Sequence, residues 1–246
     1  MKPFIFEARN GIHIIDLTKT LNQLDVACSF LAASVRKGGK TLFVGTKKQA
    51  QTAIKQTAKE SGQFYVTQRW LGGTLTNFAT IKRSLARLKE IEKMEADGSI
   101  SNYVKQEQSM IRREAARLVK FFEGIQTMDK MPGAMFVVDI KREHNAVAEA
   151  RRLKIPIVAM VDTNCDPDLV DYPIACNDDA IRSVRLILAT IGQTVMQAQA
   201  EYETKYARRK SVEGAAPAAP EATAEAAPVV AAPAPAAPAE MAAPPA

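Results

Sequence analysis

Thr41-Leu42-Phe43-Val44-Gly45-Thr46, then Lys47 to Ser61, then Phe64-Tyr65-Val66: these three runs decide the fold. The first is a short, continuous apolar run and reads as a buried strand. The second is amphipathic at helical spacing and is closed by Gly62. The third is another strand. Parallel strands need a crossover connection, so strand, helix and strand in this order predict a parallel pair with a right-handed crossover. Strands that are apolar throughout are strands covered on both faces.

The same grammar continues downstream. Pro132-Gly133 leads into Ala134-Met135-Phe136-Val137-Val138-Asp139, a strand ending in an acid. Glu143 to Leu153 is a short helix, and Pro156 to Asp162 is a further strand ending in an acid. After Asp166-Pro167, Tyr172-Pro173-Ile174-Ala175-Cys176 forms a last short strand. Asp178 or Asp179 is then placed to cap a long helix running towards Lys210, with Ile181, Val184, Leu188 and Ile191 on its core side. Upstream, Phe4-Ile5-Phe6 and Ile12-His13-Ile14-Ile15 are β-like. Between them Arg9-Asn10-Gly11 carries the Asn-Gly pair of a tight hairpin turn. Thr18 is placed to cap a helix through about Val35, stopped at Gly38-Gly39. Strands alternating with helices give an α/β class with a doubly wound parallel sheet.

One stretch interrupts this alternation. From Gln68 to Ile125 the chain passes through Arg69-Trp70-Leu71-Gly72-Gly73 into two helical patterns. The first has Phe78, Ile81, Leu85, Leu88 and Ile91 on one side. The second has Ile111, Ala115, Leu118, Phe122 and Ile125, a narrow seam like that of a coiled-coil partner. With Asp97-Gly98 and Ser99 to Asn102 between them, the pattern predicts an inserted antiparallel helical hairpin over 68–125. Arg113, Arg117 and Lys120 form one basic stripe and Arg83 with Arg87 a shorter one, with glutamates interleaved. Such a surface is either a solvated coiled-coil face with internal ion pairs or an arm that lays Arg and Lys along a phosphate backbone.

Composition separates a body from a tail. The chain has 246 residues, 33 of them Lys or Arg and 27 Asp or Glu. From Ser211 on there is no base, and the only acids are Glu213, Glu221, Glu225 and Glu240. The body, 1–210, therefore carries a surplus of about ten positive charges, which favours polyanions, nucleic acid first. The tail, 211–246, is Ala, Pro, Glu and Val without aromatics and reads as disordered, because it cannot bury enough to offset its ordering entropy. The three cysteines, Cys28, Cys165 and Cys176, are neither a disulfide framework nor a zinc motif. No secretory signal or membrane-length apolar run is present, which points to the cytoplasm and away from a membrane.

In a sheet of this kind ligands bind at the carboxyl ends of the strands. The stretches there are Gly45-Thr46-Lys47-Lys48, Asp139-Ile140-Lys141-Arg142 and Asp162 to Asp166. The first places a glycine ahead of a helix, where a phosphate could sit or where the turn is simply tight; it is not a P-loop. Asp162, Asp166 and Asp168 are either hard-cation ligands or an Asx-turn loop with a helix cap. Neither His13 nor His144 has a nucleophile the sequence can set beside it. No catalytic, metal or cofactor set is assigned, and an α/β enzyme binding a phosphorylated ligand at Gly45 to Lys48 and Asp162 is the competing reading. Trp70, the sole tryptophan, is either a core anchor at the hairpin base or a stacking platform for a base.

Several stretches, in order, resemble the family of the second protein of the bacterial small ribosomal subunit. They are Lys2-Pro3-Phe4-Ile5-Phe6 through Arg9-Asn10-Gly11 to Leu17, Leu42 to Ala50, Gln68 to Asn77, and Pro132 to Asp139. Glu149-Ala150, Ile155-Pro156 and Val161 to Pro167 complete the set, which spans roughly residues 2–205. The resemblance implies a flavodoxin-like three-layer α/β/α sandwich with a protruding helical hairpin. It implies a non-enzymatic constituent of the small subunit that binds 16S ribosomal RNA. It also implies docking of the mRNA-handling small-subunit protein one, and contacts with neighbouring ribosomal proteins rather than with copies of itself. In one respect the chain departs from that family: members carry a further segment before the stretch matching Met1-Lys2-Pro3, and this sequence starts at that methionine. Phosphate contacts are expected from Arg69, Lys82, Arg83, Arg87, Arg112, Arg113 and Arg117, with Lys47 and Lys48 as weaker candidates. That set rests on the charge stripes and the loop; the resemblance does not fix it residue by residue.

Overall fold

The computed structural model describes residues 1–213, with side-chain surroundings as far as Tyr206. A two-stranded antiparallel ribbon comes first, β1 (Ile5–Arg9) and β2 (Ile12–Ile15). Its turn has Asn10 and Gly11 both at positive φ, 51° and 77°, as a tight Asn-Gly hairpin requires. Then come α1 (Leu17–Arg36), β3 (Thr41–Val44), α2 (Lys48–Glu60) and β4 (Phe64–Val66). The hairpin insert supplies α3 (Phe78–Ala96) and α4 (Lys105–Phe122). The chain returns through β5 (Ala134–Val138), α5 (His144–Arg152), β6 (Ile157–Val161), β7 (Tyr172–Ala175) and α6 (Ile181–Glu213).

The five strands β3 to β7 form one parallel sheet in the order β4-β3-β5-β6-β7. That is the flavodoxin-like order, in which the second strand in sequence flanks the first and the others step away on the opposite side. Every residue of β3, β5 and β6 is buried. Alternate side chains serve opposite layers. Phe43, Phe136, Val138, Val158 and Met160 pack with α1, α2 and α6. Leu42, Val44, Met135, Val137, Ile157 and Val161 pack with α5 and the base of the hairpin. The expected α/β/α sandwich is therefore present. No helix among the described residues is long and apolar enough to cross a membrane.

Several boundaries differ from the sequence reading, each for a local reason. The cap of α1 is Asp16, whose carboxylate accepts from the amides of Thr18 (3.0 Å) and Lys19 (3.5 Å); Thr18 lies inside the helix. Before α6, Asn177 accepts from the amides of Asp179 and Ala180 in a turn, and Asp178 and Asp179 are directed to Lys47 instead of capping the helix. Ile181 opens α6 in an exposed position, and core contact begins a turn later at Val184. The helix extends to Glu213, three residues into the expected tail. From residue 214 that tail lies outside the described residues.

The hairpin seam is as patterned on the α3 side, where Ile81, Leu85, Leu88 and Ile91 are buried. On the α4 side Ile111, Ala115 and Leu118 are half-buried, and Phe122 ends the helix. Ile125 is buried but lies beyond the helix. The reason is Gly124. Its carbonyl accepts from the amide of Tyr65 (3.1 Å), which draws the chain out of the helix against β4, the edge strand of the sheet. A Cβ on Gly124 would collide with the carbonyl oxygen and ring of Tyr65. Gly124→Ala should therefore displace backbone rather than a flexible side chain. We expect a loss of about 2–3 kcal/mol, read as a lower Tm with unchanged secondary structure by circular dichroism.

Candidate nucleic-acid interface

The hairpin is joined to the body by a loop, residues 67–77, that folds around one carboxylate. Glu149, on α5, accepts from the indole N–H of Trp70 (3.0 Å) and the amide of Gly73 (2.8 Å) through Oε1. Through Oε2 it accepts from the amides of Leu75 (3.0 Å) and Thr76 (3.1 Å) and from the Thr76 hydroxyl (3.1 Å). Burial pushes its pKa up, but the bonds from Trp70 and the three amides outweigh burial and hold it below the usual carboxylate value. Trp70 is 7% exposed and packs with Leu75, Ile81 and Val66. It is the core anchor at the hairpin base, with its ring turned inward. Glu149 appears in the sequence only as one acid on an amphipathic helix, and no spacing rule connects it to a loop more than seventy residues earlier.

The carboxyl ends of the strands carry no open phosphate cradle. Gly45 sits in close packing, since a Cβ there would strike Ile54 Cδ1 and lie 3.2 Å from Val138 Cβ. The amide (3.1 Å) and hydroxyl of Thr46 both donate to the buried Glu143 carboxylate, the position an incoming phosphate would need. Lys47 is engaged by Asp178 (2.8 Å), Asp179 (2.6 Å) and Asp139 (3.6 Å). Its charge is consumed inside the protein, which sets it apart from the other expected phosphate-contact residues, whereas Lys48 is exposed. Burial pushes the Asp178 carboxyl upward, to about 6, with Asp139 and Asp162 adding to the shift and Lys47 opposing it.

The acids at these ends are also grouped differently from their sequence spacing. Asp166 accepts from the amide of Asp168 at the start of a 3-10 turn over Pro167–Leu169, so those two residues form a capped loop. Asp162 meets Asp178 and Asp179 instead.

The expected phosphate-contact residues divide by their partners. Arg87 pairs with Glu90 (3.4 Å) and Glu114 (3.8 Å), and Arg112 reaches Glu95 at 4.0 Å. Among the described residues Arg69, Lys82, Arg83, Arg113 and Arg117 are exposed and make no ion pair. Lys82 lies 5.0 Å from the centre of the Phe78 ring. Arg113 is steadied by the Ser109 hydroxyl (2.9 Å). Arg113 and Arg117 line a groove of about 640 Å³ along α4 with Tyr103, Met110 and the acids Glu107 and Glu114. At the hairpin base Arg69 lines a cleft of about 430 Å³ with Thr46, Gln68, Trp70, Arg142, Glu143 and Asn145. Arg142, whose Nε donates to the Thr46 hydroxyl (2.8 Å), belongs to a strand-end stretch that the sequence singles out but not to the expected basic set.

Two regions thus present arginines, with acids among them: the outer stripe of the hairpin and the cleft at its base, joined by the loop that Glu149 holds. Glu149→Gln would remove the charge and turn an N–H₂ group towards donors. It should cost about 2 kcal/mol or more, a fall in Tm of roughly 4–8 °C for a body of this size. Because the folded-state pKa of Glu149 is depressed, its contribution is complete above the unfolded value. It is lost as pH falls through the folded value. The Tm difference between wild type and Glu149→Gln should be constant near neutrality and shrink below about pH 4.

A family model described as ribosomal protein S2 matches residues 1–198. The chain is also 54% identical over 204 residues to the small ribosomal subunit protein uS2 of Roseiflexus sp. (strain RS-1), covering 83% of this chain and 78% of that one. A match of that extent identifies a structural protein rather than an enzyme. With its flavodoxin-like sheet and inserted helical hairpin, the chain belongs to the ribosomal protein S2 family.

Proposed function

We propose that this chain is held on 16S ribosomal RNA by the outer stripe of its hairpin and the cleft at the hairpin's base, and that it offers a docking surface to small-subunit protein one. The coarser statement follows from family membership: it is a structural constituent of the small ribosomal subunit, acting in translation in the cytoplasm. The observation that carries the RNA part is the partition of basic residues. Arg69, Lys82, Arg83, Arg113 and Arg117 are exposed and free of ion pairs among the described residues. Lys47 is neutralised by acids, and Arg87 and Arg112 are partly so. Unpaired arginines on a rigid arm position a protein on phosphates without reading sequence.

Docking of protein one, and contact with other ribosomal proteins, rests on the family resemblance. Apolar side chains at Phe6, Ile12, Leu17 and Leu21, all more than half exposed, support a ribbon and first helix that face protein rather than solvent.

Sedimentation of tagged protein from gently lysed cells tests the assignment directly. It should co-migrate with small subunits, and protein left at the top of a gradient that contains intact subunits would overturn it. For the interface, Arg113→Ala with Arg117→Ala should weaken binding to 16S RNA. The pair should flatten the salt dependence by about 0.7–0.9 in log–log slope for each phosphate that is no longer neutralised. An unchanged slope would remove this stripe from the interface. The phosphate-enzyme reading predicts a ligand-dependent rise in Tm with small phosphate compounds. We expect none, because Glu143 already occupies the Thr46 amide.

A further inference from the structure

We propose that Arg151 and Lys154 form a further phosphate-binding site, at the amino end of the sheet, for one phosphate of an RNA backbone apart from those met by the hairpin. The site rests on the RNA reading above and adds another face to it. Arg151 and Lys154 line a cleft of about 290 Å³ with Ile155, Pro156 and Asp171, just before β6. Both bases are exposed, and neither makes an ion pair among the described residues. Asp171, the acid in the lining, is engaged by the chain itself: its Oδ2 accepts from the amide of Ile157 (2.8 Å). Two bases against one engaged acid leave the cleft attractive to an anion.

The independent sign is the backbone of Lys154. The amide of Ile155 donates to the carbonyl of Ala150 (2.9 Å) and that of Lys154 to the carbonyl of Arg151 (3.1 Å), so α5 ends in a Schellman motif. The motif holds Lys154 at φ 56°, in the left-handed region that strains any residue with a Cβ. After α1, α2 and α3 the chain puts glycine at positive φ: Gly38, Gly62 and Gly98. Arg151 and Arg152 lie in the last turn of α5, where cations offset the helix dipole, and that accounts for them without a ligand. It leaves unexplained why a lysine follows them at a position that favours glycine, and an amine kept at a strained place beside a second base suits an anion held there. The same helix joins this cleft to the one at the hairpin base, which Asn145 lines from the first turn of α5. A basic cleft therefore stands at each end of a nine-residue helix, about 14 Å long. An RNA backbone, with phosphates all along its length, can fill both.

Full-length wild type, Lys154→Ala, Lys154→Gly and the Arg113→Ala, Arg117→Ala pair would be titrated with purified 16S RNA over a salt series, and the Tm of each recorded. We expect both Lys154 variants to bind more weakly and to lose about 0.7–0.9 in log–log slope, one phosphate contact. Lys154→Gly should at the same time melt about 2–4 °C above wild type, which separates lost binding from lost folding. Combined with the hairpin pair, Lys154→Ala should lower the slope by the same further step, because the two regions share no partner. A wild-type slope for both Lys154 variants, with the hairpin pair still flattened, would overturn this site and leave the RNA reading standing. Failure of the wild type itself to bind would remove both. A wild-type slope on RNA with poor incorporation of Lys154→Ala into small subunits would make the cleft a protein contact and overturn the phosphate site.

Discussion

The carboxylate of Glu149 is the constraint on which the hairpin's placement depends. A long two-helix arm on a small body transmits any slack at its root to its tip. With a rise of about 1.5 Å per residue, the 19 residues of α3 reach about 28 Å, so a few degrees of tilt at residues 70–76 would move the tip by ångströms. Five donors converging on Glu149 remove that slack. They tie the loop to α5, and α5 is packed on the sheet through Ala146, Val147 and Ala150. The charge-assisted bonds are strong because the acceptor is ionised and partly withdrawn from water. Trp70 adds bulk to the same point: its indole N–H satisfies Glu149 while its ring packs with Ile81 and Leu75.

The second fastening is at the other end of the insert. Gly124 brings the chain down onto Tyr65 at a distance no other residue permits, and Ile125 and Met128 then enter the core under the sheet. Lys55 and Lys59 on α2 meet Glu123 at 2.7 and 3.2 Å on the outside of the same junction. These ion pairs are exposed and contribute little energy, but they mark where the arm leaves the body. Both feet of the hairpin are thus set by backbone geometry and buried contacts. Arg83, Arg113 and Arg117 on its outer faces are left without an ion pair among the described residues, while Arg87 and Arg112 pair with neighbouring glutamates.

The parallel sheet was legible because each signal is local, whereas its flavodoxin-like order came only with the family resemblance. The apolar runs of β3, β5 and β6, the Asn10-Gly11 turn and the seam of Ile81, Leu85, Leu88 and Ile91 are all patterns within a few residues of sequence. The parallel pairing followed from strand and helix alternation alone. What could not be read are the long-range polar contacts. Glu149 with Gly73, Thr46 with Glu143, and Lys47 with Asp178 each join residues from different parts of the chain, and charge spacing carries no record of them. The same limit explains the caps. Asp16 prevailed over Thr18 because a cap is decided by where a side chain lands, and Asp178, expected to cap α6, is turned inward to Lys47. It also explains why exposed and internally neutralised bases look alike in sequence, so that Lys47 stands beside Arg113.

This division of charge has a physical logic. In a doubly wound sheet the strand carboxyl ends are where nucleotides usually bind. Here that edge is filled by the chain's own carboxylates: Glu143 against Thr46, and Asp139, Asp178 and Asp179 around Lys47. Such an edge repels a free phosphate rather than collecting it. The positive field is displaced to Arg69 at the root of the hairpin and to Arg113 and Arg117 along its flank, where the side chains stand exposed on the outside of the molecule. An exposed, unpaired basic ridge suits an extended polyanion, whose phosphates recur along its length and release counterions as each is neutralised. Family membership says where the protein works, and this charge distribution leaves the outside of the molecule, rather than the crevice of the sheet, open to a polyanion.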